Sequence, residues 1–209
     1  AGELKYVPLY GEDLARGSIE PNKENINEFR EKYLSNLAKL ANRKSLVTDK
    51  LPHNFRFIPL ICSAFPEAKI IHVQRDPKAT CWSNYKHYFV STDLGYCYNL
   101  TDVVDYYKLY NNLMQFWQSQ YDNRIYKLDY EKLTTDQDNE TRQLIKHLGI
   151  EWEDACLSPQ DNIRSIKTAS QQQVRQKVYQ RSSEAWRKYE PFLSGAFDTL
   201  TNDLNDLMD

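Results

Sequence analysis

The chain has 209 residues, a mass of 24.7 kDa and a pI near 6.1. This length suits one domain with a sizeable core, so we predict a single domain over residues 1–209. The formal net charge of −2 excludes the strongly basic class of general nucleic-acid-binding proteins, so any phosphate-binding site must be local.

Periodic apolar residues and capping residues predict alternating helices and strands. In chain order these are a helix over 22–41, a strand at 46–48, a helix over 54–64, a strand over 69–74, helices over 77–90 and 101–120, a strand over 124–129, a helix over 136–148 that stops at Gly149, and one or two helices over 183–205 interrupted by Pro191. Helices that separate short strands predict an α/β fold in which a parallel sheet is flanked by helices.

The four cysteines are scattered, without a Cys-x-x-Cys pair or paired histidines at ligand spacing, so we expect no metal site. Cys62 and Cys81 fall on apolar faces of predicted helices, which suits buried thiols in a reducing compartment. The sequence shows no long apolar run, so we expect no membrane segment. It also shows no signal peptide, and we take the cytoplasm as the default location, although a missing amino terminus would conceal a leader.

The most informative segment is the predicted strand over residues 69–74, which ends in Arg75-Asp76-Pro77. Asp76 can cap the next helix and Pro77 can open it, because proline at the first helical position loses no needed donor. Arg75 is therefore left at the carboxyl end of a strand, where open α/β sheets bind ligands. Its guanidinium, together with the hydroxyl of Ser83 two helical turns further on, predicts a phosphate site.

A purely structural interpretation of the same residues is also open. Arg75 would then pair with a carboxylate to hold a loop, Asp76 would be only a helix cap, and Ser83 would be a solvated helix residue. Spacing alone does not decide between the two interpretations.

Arg75-Asp76-Pro77 with Ser83, placed after a strand, resembles the 3'-phosphate signature of sulfotransferases, which bind 3'-phosphoadenosine 5'-phosphosulfate (PAPS). The resemblance implies that Arg75 and Ser83 grip the 3'-phosphate of this co-substrate. Further blocks follow the order seen in bacterial sulfotransferases related to the tyrosylprotein enzymes. These blocks are Thr48–Phe55, Phe65–His72, Asp129–Leu133, His147–Trp152 and Thr168–Val174.

The resemblance implies a helix-rich, P-loop-type parallel sheet, in which a glycine-rich loop after the first strand cradles the 5'-phosphosulfate with backbone N–H groups. None of the six glycines here opens such a loop, and Ala1–Leu4 resembles the segment that follows it. We therefore expect the chain to begin partway through the domain, without the first strand and P-loop. Alone it should be inactive, and its exposed sheet edge favours self-association.

Three residues are candidates for the catalytic chemistry. Lys50 resembles the lysine of tyrosylprotein sulfotransferases that stabilises charge on the bridging oxygen as the sulfuryl group leaves; the alternative is a surface lysine paired with Asp49. Glu3 resembles the family's acidic base, although the alignment is ambiguous by one residue and the other place is Leu4. His53 is the second candidate for the base, because it lies near Lys50 in sequence and can titrate near neutrality.

Two further residues are candidates for binding PAPS. Tyr130, which follows a predicted strand, matches a family tyrosine near the nucleotide, and Ser170 matches the late segment that closes over adenine and the 3'-phosphate. Lys177 and Ala185 depart from this pattern, because relatives often have proline and a basic residue at these places. The resemblance therefore leaves open what supplies the positive charge at this end.

The leading hypothesis is a PAPS-dependent sulfotransferase that transfers a sulfuryl group to a hydroxyl or amine of a small molecule, carbohydrate or protein. A non-catalytic nucleotide-binding or scaffolding remnant of the same fold is the alternative, favoured by the absent loop. Binding of adenosine 3',5'-bisphosphate, compared with sulfuryl transfer, separates the two. A kinase-like P-loop phosphotransferase is third, and the lack of a Walker lysine and of a magnesium-binding pattern counts against it.

Overall fold

The structure is a computed structural model that describes residues 3–40, 46–89, 92–162 and 175–200. These residues form the helices α1 (Tyr6–Arg16), α2 (Lys23–Leu40), α3 (Ile58–Ala64), α4 (Pro77–Tyr85), α5 (Leu100–Gln120), α6 (Tyr130–Thr135) and α7 (Gln137–Leu148), and the strands β1 (Ile70–Gln74) and β2 (Ile125–Asp129). Short 3-10 segments lie between these elements and after α7. One of them, Ser182–Phe192, has 11 residues.

The described residues fall into two compact units, which we describe separately. The first unit contains the chain up to Ile70 together with 113–124, and the second contains 71–112, 125–162 and 175–200. The single domain over residues 1–209 stays a prediction.

The first unit packs α1, α2 and α3 around an aromatic core. Phe29 of α2 lies 5.7 Å, centroid to centroid, from the edge-on ring of Phe65, and the Tyr33 ring is 4.8 Å from the same ring. Gly11 allows α1 to approach this core closely, because a Cβ there would lie 2.6 Å from Leu60 Cδ2. The buried members of this core are Val7, Leu14, Phe29, Tyr33, Phe57, Leu60, Ala64 and Phe65.

The second unit contains β1 and β2 paired as a small parallel sheet. Its main apolar core lies between α4, α5 and the Ser182–Phe192 segment, with Cys81 fully buried and its Sγ 3.8 Å from the carbonyl oxygen of Val103. The buried members of this core are Ala79, Cys81, Val103, Val104, Trp186, Leu193, Phe197 and Leu200. The prediction of a helix-rich α/β chain is confirmed at this level, and the P-loop type of sheet stays a prediction.

Strong local signals give elements close to their predicted bounds. Asp76 caps α4 by accepting a hydrogen bond from the Ala79 N–H at 2.7 Å, and Pro77 occupies the first turn, as predicted. Gly149 ends α7 in the left-handed conformation with φ 70°, which glycine adopts without strain. Cys62 and Cys81 are both buried, as their predicted helix faces required.

The strand predicted at 46–48 is wrong. Residues 46–48 have no regular secondary structure, and Asp49, next to them, forms an isolated bridge. Leu46 is exposed, so the apolar pattern that suggested a buried strand does not correspond to a buried face here. Lys50 therefore follows an isolated bridge residue and not the end of a strand.

Two predicted helices differ in extent or type. The helix predicted over 77–90 ends at Tyr85, and the His87 imidazole contacts the Ser83 carbonyl oxygen at 2.7 Å, which competes with continuation of the backbone ladder. The helix predicted over 54–64 becomes a 3-10 turn, Pro52–Phe57, followed by α3. At the carboxyl end, Ser182–Phe192 is 3-10 and includes Pro191, while residues 201–209 lie outside the described part.

Candidate functional site

Arg75 lies directly after β1, and Tyr130 lies directly after β2. Because parallel strands bring their carboxyl ends to one edge, the two side chains meet there. The Arg75 Cζ lies 5.1 Å from the centroid of the Tyr130 ring, a cation–π geometry. The sheet thus places two sequence-predicted residues side by side.

Arg75 and Ser83 line a single cleft of about 260 Å³. Ser83 reaches this cleft because α4 begins immediately after β1, at the Asp76 cap and Pro77. The other lining residues are Val73, Thr80, Asn84, Tyr107 and Tyr110. The structure therefore brings the predicted pair together, and their binding of a phosphate stays a prediction.

The Arg75 guanidinium is held on one side by the Ser182–Phe192 segment. Its Nε donates to Ser183 Oγ at 3.2 Å, and its Nη2 donates to the Ser182 carbonyl oxygen at 2.8 Å. Nη1 makes no hydrogen bond to any residue in the part of the chain that the structure describes. Arg75 therefore keeps N–H donors available for an anion.

The direct carboxylate partner of the structural interpretation is not observed for Arg75 within the described ranges. The nearest carboxylate in the hydrogen-bonding chain is that of Glu131, which accepts from the Ser183 hydroxyl and from the Asp76 N–H, at 3.3 and 3.2 Å to its two oxygens. Arg75 is thus linked to a carboxylate through Ser183.

A half-buried histidine, His72, contacts one of the residues that line the cleft. The His72 ring on β1 hydrogen-bonds through Nε2 to the Tyr110 hydroxyl. Burial, with a smaller effect of the Lys127 charge, lowers the pKa of His72 to about 4. Burial also raises the pKa of Tyr110 to about 12, so both groups are neutral near pH 7.

In the first unit, Lys50 forms an ion pair with Glu3, although the two residues are 47 positions apart in the sequence. The side chains are largely exposed, 62% for Lys50 and 38% for Glu3. Asp49, the alternative partner of Lys50, instead accepts from the Leu4 N–H at 3.1 Å and from the Tyr33 hydroxyl at 3.0 Å. Two candidate catalytic residues are therefore adjacent.

The remaining candidates are placed as follows. His53 is half-buried in the 3-10 turn Pro52–Phe57, with its ring centroid 6.4 Å from that of Phe55. Ser170 lies outside the described residues. Near Ala185, where relatives often have a basic residue, a nearby cation is Arg187. Its Cζ lies 5.2 Å from the centroid of the Trp186 ring, so it contacts an aromatic surface.

Sequence reasoning missed several residues of the site. Thr80 carries a weak signal, because Ser83 and Asn84 follow it on α4 at the three- and four-residue spacings that share a helix face. Tyr107 and Tyr110 are three residues apart on α5 and carry a similar one. Glu131, Ser182 and Ser183 carry none, since their proximity to Arg75 depends on the tertiary fold.

No helix within the described ranges combines the length and apolar character needed to cross a bilayer. In the same part of the chain, no three His, Cys, Asp or Glu side chains are grouped so that they could hold a metal ion.

Comparison with known proteins gives a family for this arrangement. An uncharacterised protein of Aquifex aeolicus is 34% identical over 225 residues, which covers 100% of this chain and 30% of the relative. The omega-hydroxy-beta-dihydromenaquinone-9 sulfotransferases Stf3 of Mycobacterium bovis and Mycobacterium tuberculosis are 31% identical over 115 residues, covering 52% of this chain and 29% of each enzyme. The chain thus spans less than a third of the length of these relatives.

The family match itself covers residues 15–154, which is well over half of the chain. This range includes β1, Arg75, α4 with Ser83, and the β2 strand with Tyr130. The chain therefore belongs to the sulfotransferase family.

Proposed function

We propose that this chain is part of a sulfotransferase that takes its sulfuryl group from PAPS and transfers it to a hydroxyl or amine acceptor. The observation that carries the proposal is the shared cleft of Arg75 and Ser83 at the carboxyl end of β1. In this proposal the two side chains bind the 3'-phosphate of the nucleotide.

The donor set of the cleft suits a phosphate. The guanidinium supplies paired, charged N–H donors through Nη1, and the hydroxyl of Ser83 and the amide of Asn84 supply neutral ones. At about 260 Å³ the cleft lies just below the roughly 300–1,000 Å³ typical of whole-ligand pockets. It therefore suits the phosphate end of a nucleotide.

The Lys50–Glu3 pair supplies the groups that sulfuryl transfer requires. PAPS, when bound, supplies an activated sulfuryl group and leaves as adenosine 3',5'-bisphosphate. We assign Lys50 to stabilising charge on the bridging oxygen, where its Nζ acts as a point charge. We assign Glu3 to accepting the proton of the acceptor, with His53 as the second candidate for this base.

The acceptor is best described by its chemistry. The mycobacterial relatives are named for an omega-hydroxy compound. This name favours a hydroxyl over an amine as the acceptor here.

Replacement of Arg75 by alanine tests the binding role. Arg75→Ala should weaken binding of adenosine 3',5'-bisphosphate by about 2 kcal/mol, roughly 30-fold, because a charge-assisted donor set is lost. Adenosine 5'-monophosphate, which lacks the 3'-phosphate, should bind almost unchanged. Isothermal titration of both nucleotides measures the difference.

Arg142→Ala is the matched control, because it removes an exposed arginine of α7 that pairs with Asp138. It should leave both affinities unchanged. Equal losses for both nucleotides in a folded Arg75→Ala variant would contradict the assignment. Tight bisphosphate binding without sulfuryl transfer in the natural protein would favour the non-catalytic alternative.

A further inference from the structure

Glu131 lies at the centre of a hydrogen-bonding network at the carboxyl ends of both strands. Its carboxylate accepts from the Asp76 N–H, at 3.3 and 3.2 Å to the two oxygens, and from the Ser183 hydroxyl. Ser183 Oγ in turn accepts from Arg75 Nε at 3.2 Å. One carboxylate thus contacts the start of α4 and, through one hydroxyl, the arginine of the cleft.

The direction of this chain of hydrogen bonds is fixed by its two ends. An ionised carboxylate only accepts, and a guanidinium only donates. The Ser183 hydroxyl must therefore donate its proton to Glu131 and present its oxygen lone pairs to Arg75 Nε. Each bond has a charged partner at one end, which makes such bonds stronger than neutral ones.

The same network fixes the plane of the guanidinium. Nε is bonded to Ser183, Nη2 to the Ser182 carbonyl oxygen, and the ring of Tyr130 lies against the guanidinium with Cζ 5.1 Å from its centroid. The Tyr130 hydroxyl is itself 3.1 Å from Ser182 Oγ. Two of the five N–H donors are used in these bonds, so both hydrogens of Nη1 and the second hydrogen of Nη2 stay available for a ligand.

Glu131 is also connected to Ser83, the second residue of the predicted phosphate site. Asp76, whose N–H it holds, caps α4, and α4 carries Ser83. The carboxylate therefore links the positions of Arg75 and Ser83, which otherwise belong to different segments.

We propose that Glu131 is a positioning residue that acts through Ser183 to orient the Arg75 guanidinium for a phosphate in the cleft. Glu131 does not line the cleft, and a carboxylate would repel an anion, so its role is to hold Arg75 and not to touch the ligand. The inference rests on the proposed function only for the identity of the ligand. The contact itself is independent of it.

Two variants and a matched control test this role. Glu131→Gln keeps the size of the side chain but removes the charge, and Ser183→Ala removes only the connecting hydroxyl. Glu184→Gln removes an equal charge from an exposed side chain next to Ser183 in the sequence, and serves as the control. Ser183→Ala carries the test if Glu131→Gln fails to fold.

The first readout is hydrogen exchange of the Arg75 Nε–H, measured by NMR without any nucleotide. Exchange should be faster in Glu131→Gln and in Ser183→Ala than in the natural sequence or in Glu184→Gln. The second readout is affinity for adenosine 3',5'-bisphosphate and for adenosine 5'-monophosphate. Each variant should lose about tenfold in bisphosphate affinity and almost nothing for the monophosphate.

The double variant, Glu131→Gln with Ser183→Ala, tests whether Glu131 acts on Arg75 through Ser183 or independently of it. If Glu131 acts through Ser183, the combined loss of bisphosphate affinity should be clearly smaller than the sum of the single losses. Additive losses, or unchanged Nε–H exchange in both single variants, would overturn the positioning role even if Arg75→Ala still abolishes phosphate discrimination. Faster exchange with unchanged nucleotide affinities would also overturn the positioning role, whereas the phosphate assignment of Arg75 itself depends on Arg75→Ala.

Discussion

Lys50 and Arg75 are the two cations on which the proposed chemistry depends, and the chain holds them in opposite ways. Lys50 is 62% exposed and forms an ion pair with Glu3. Arg75 is half-buried after β1, hydrogen-bonded to Ser182 and Ser183 and in cation–π contact with the Tyr130 ring. The Lys50 side chain is thus weakly restrained, whereas the Arg75 guanidinium is held by several contacts.

The difference matches the two tasks assigned to these residues. A phosphate that must be recognised needs a planar donor group with a fixed orientation, which arginine supplies. A charge that develops only in the transition state needs a compact cation beside the leaving oxygen, which the ammonium of lysine supplies as a point charge. Changes at Lys50 should therefore affect the reaction and hardly the fold, whereas changes in the second unit should affect both.

The largest effect is expected for Lys50→Ala. If Lys50 stabilises the leaving oxygen, this variant of the natural protein should lose about 100- to 1000-fold in kcat, because the interaction is made mainly in the transition state. Its affinity for adenosine 3',5'-bisphosphate should change little. Single-turnover kinetics and equilibrium titration measure the two quantities.

Lys32→Ala is the matched control for this prediction. Lys32 is also an exposed lysine of the first unit that forms an ion pair, in this case with Glu28. It should keep normal kcat. Near-normal kcat in Lys50→Ala would remove Lys50 from the mechanism.

The next effect concerns stability and pH in the second unit. Folding lowers the pKa of His72 from its ordinary value near 6.5 to about 4, mainly by burial and secondly through Lys127. The unfolded chain therefore binds more protons between these values, so stability is highest above pH 6.5 and falls as the pH drops to 4. The full loss is about 3 kcal/mol.

Urea denaturation as a function of pH measures this dependence. In His72→Phe, the free energy of unfolding should no longer show the decrease between pH 6.5 and 4 that the histidine causes. Tyr110→Phe, which removes the hydroxyl partner but keeps a buried ring, should retain most of it because burial is the main cause. An unchanged pH dependence of the free energy of unfolding in His72→Phe would contradict the lowered pKa of His72 in the folded state.

The smallest effect is expected for the stability of the first unit when its exposed ion pair is broken. Glu3→Gln should change the free energy of unfolding by less than about 1 kcal/mol, because exposed pairs gain little over their hydrated state. Arg16→Gln, which breaks the exposed pair with Glu12, should behave similarly. A loss of several kcal/mol in Glu3→Gln alone would mean that the pair holds the fold together.

Local chemistry explains what the sequence could predict. Asp76 and Pro77 mark the start of α4 through capping and a preset φ, and Gly149 marks the end of α7, so no distant contact was needed to place these ends. Ser83 became a candidate through its spacing from Arg75 and the family resemblance. The structure places both in one cleft.

Other features depend on contacts between distant segments, which spacing does not encode. The partner of Lys50 is Glu3 and not Asp49, because Asp49 is engaged by Leu4 and Tyr33. The strand predicted at 46–48 fails for a related reason, since an apolar triplet becomes a strand only where a neighbouring strand pairs with it. The role inferred for Glu131 likewise required the fold.

The bonds at Asp49 and Lys50 have a geometric consequence for the segment that leads into α1. Glu3 contacts Lys50 through its side chain, and Leu4 contacts Asp49 through its backbone, so adjacent residues of one segment meet adjacent residues of the other. One contact alone would let the two segments rotate about it, whereas two neighbouring contacts fix the orientation of one segment against the other. The Glu3 carboxylate therefore has a defined orientation as well as a defined position, although the side chains of Glu3 and Lys50 are both exposed to water.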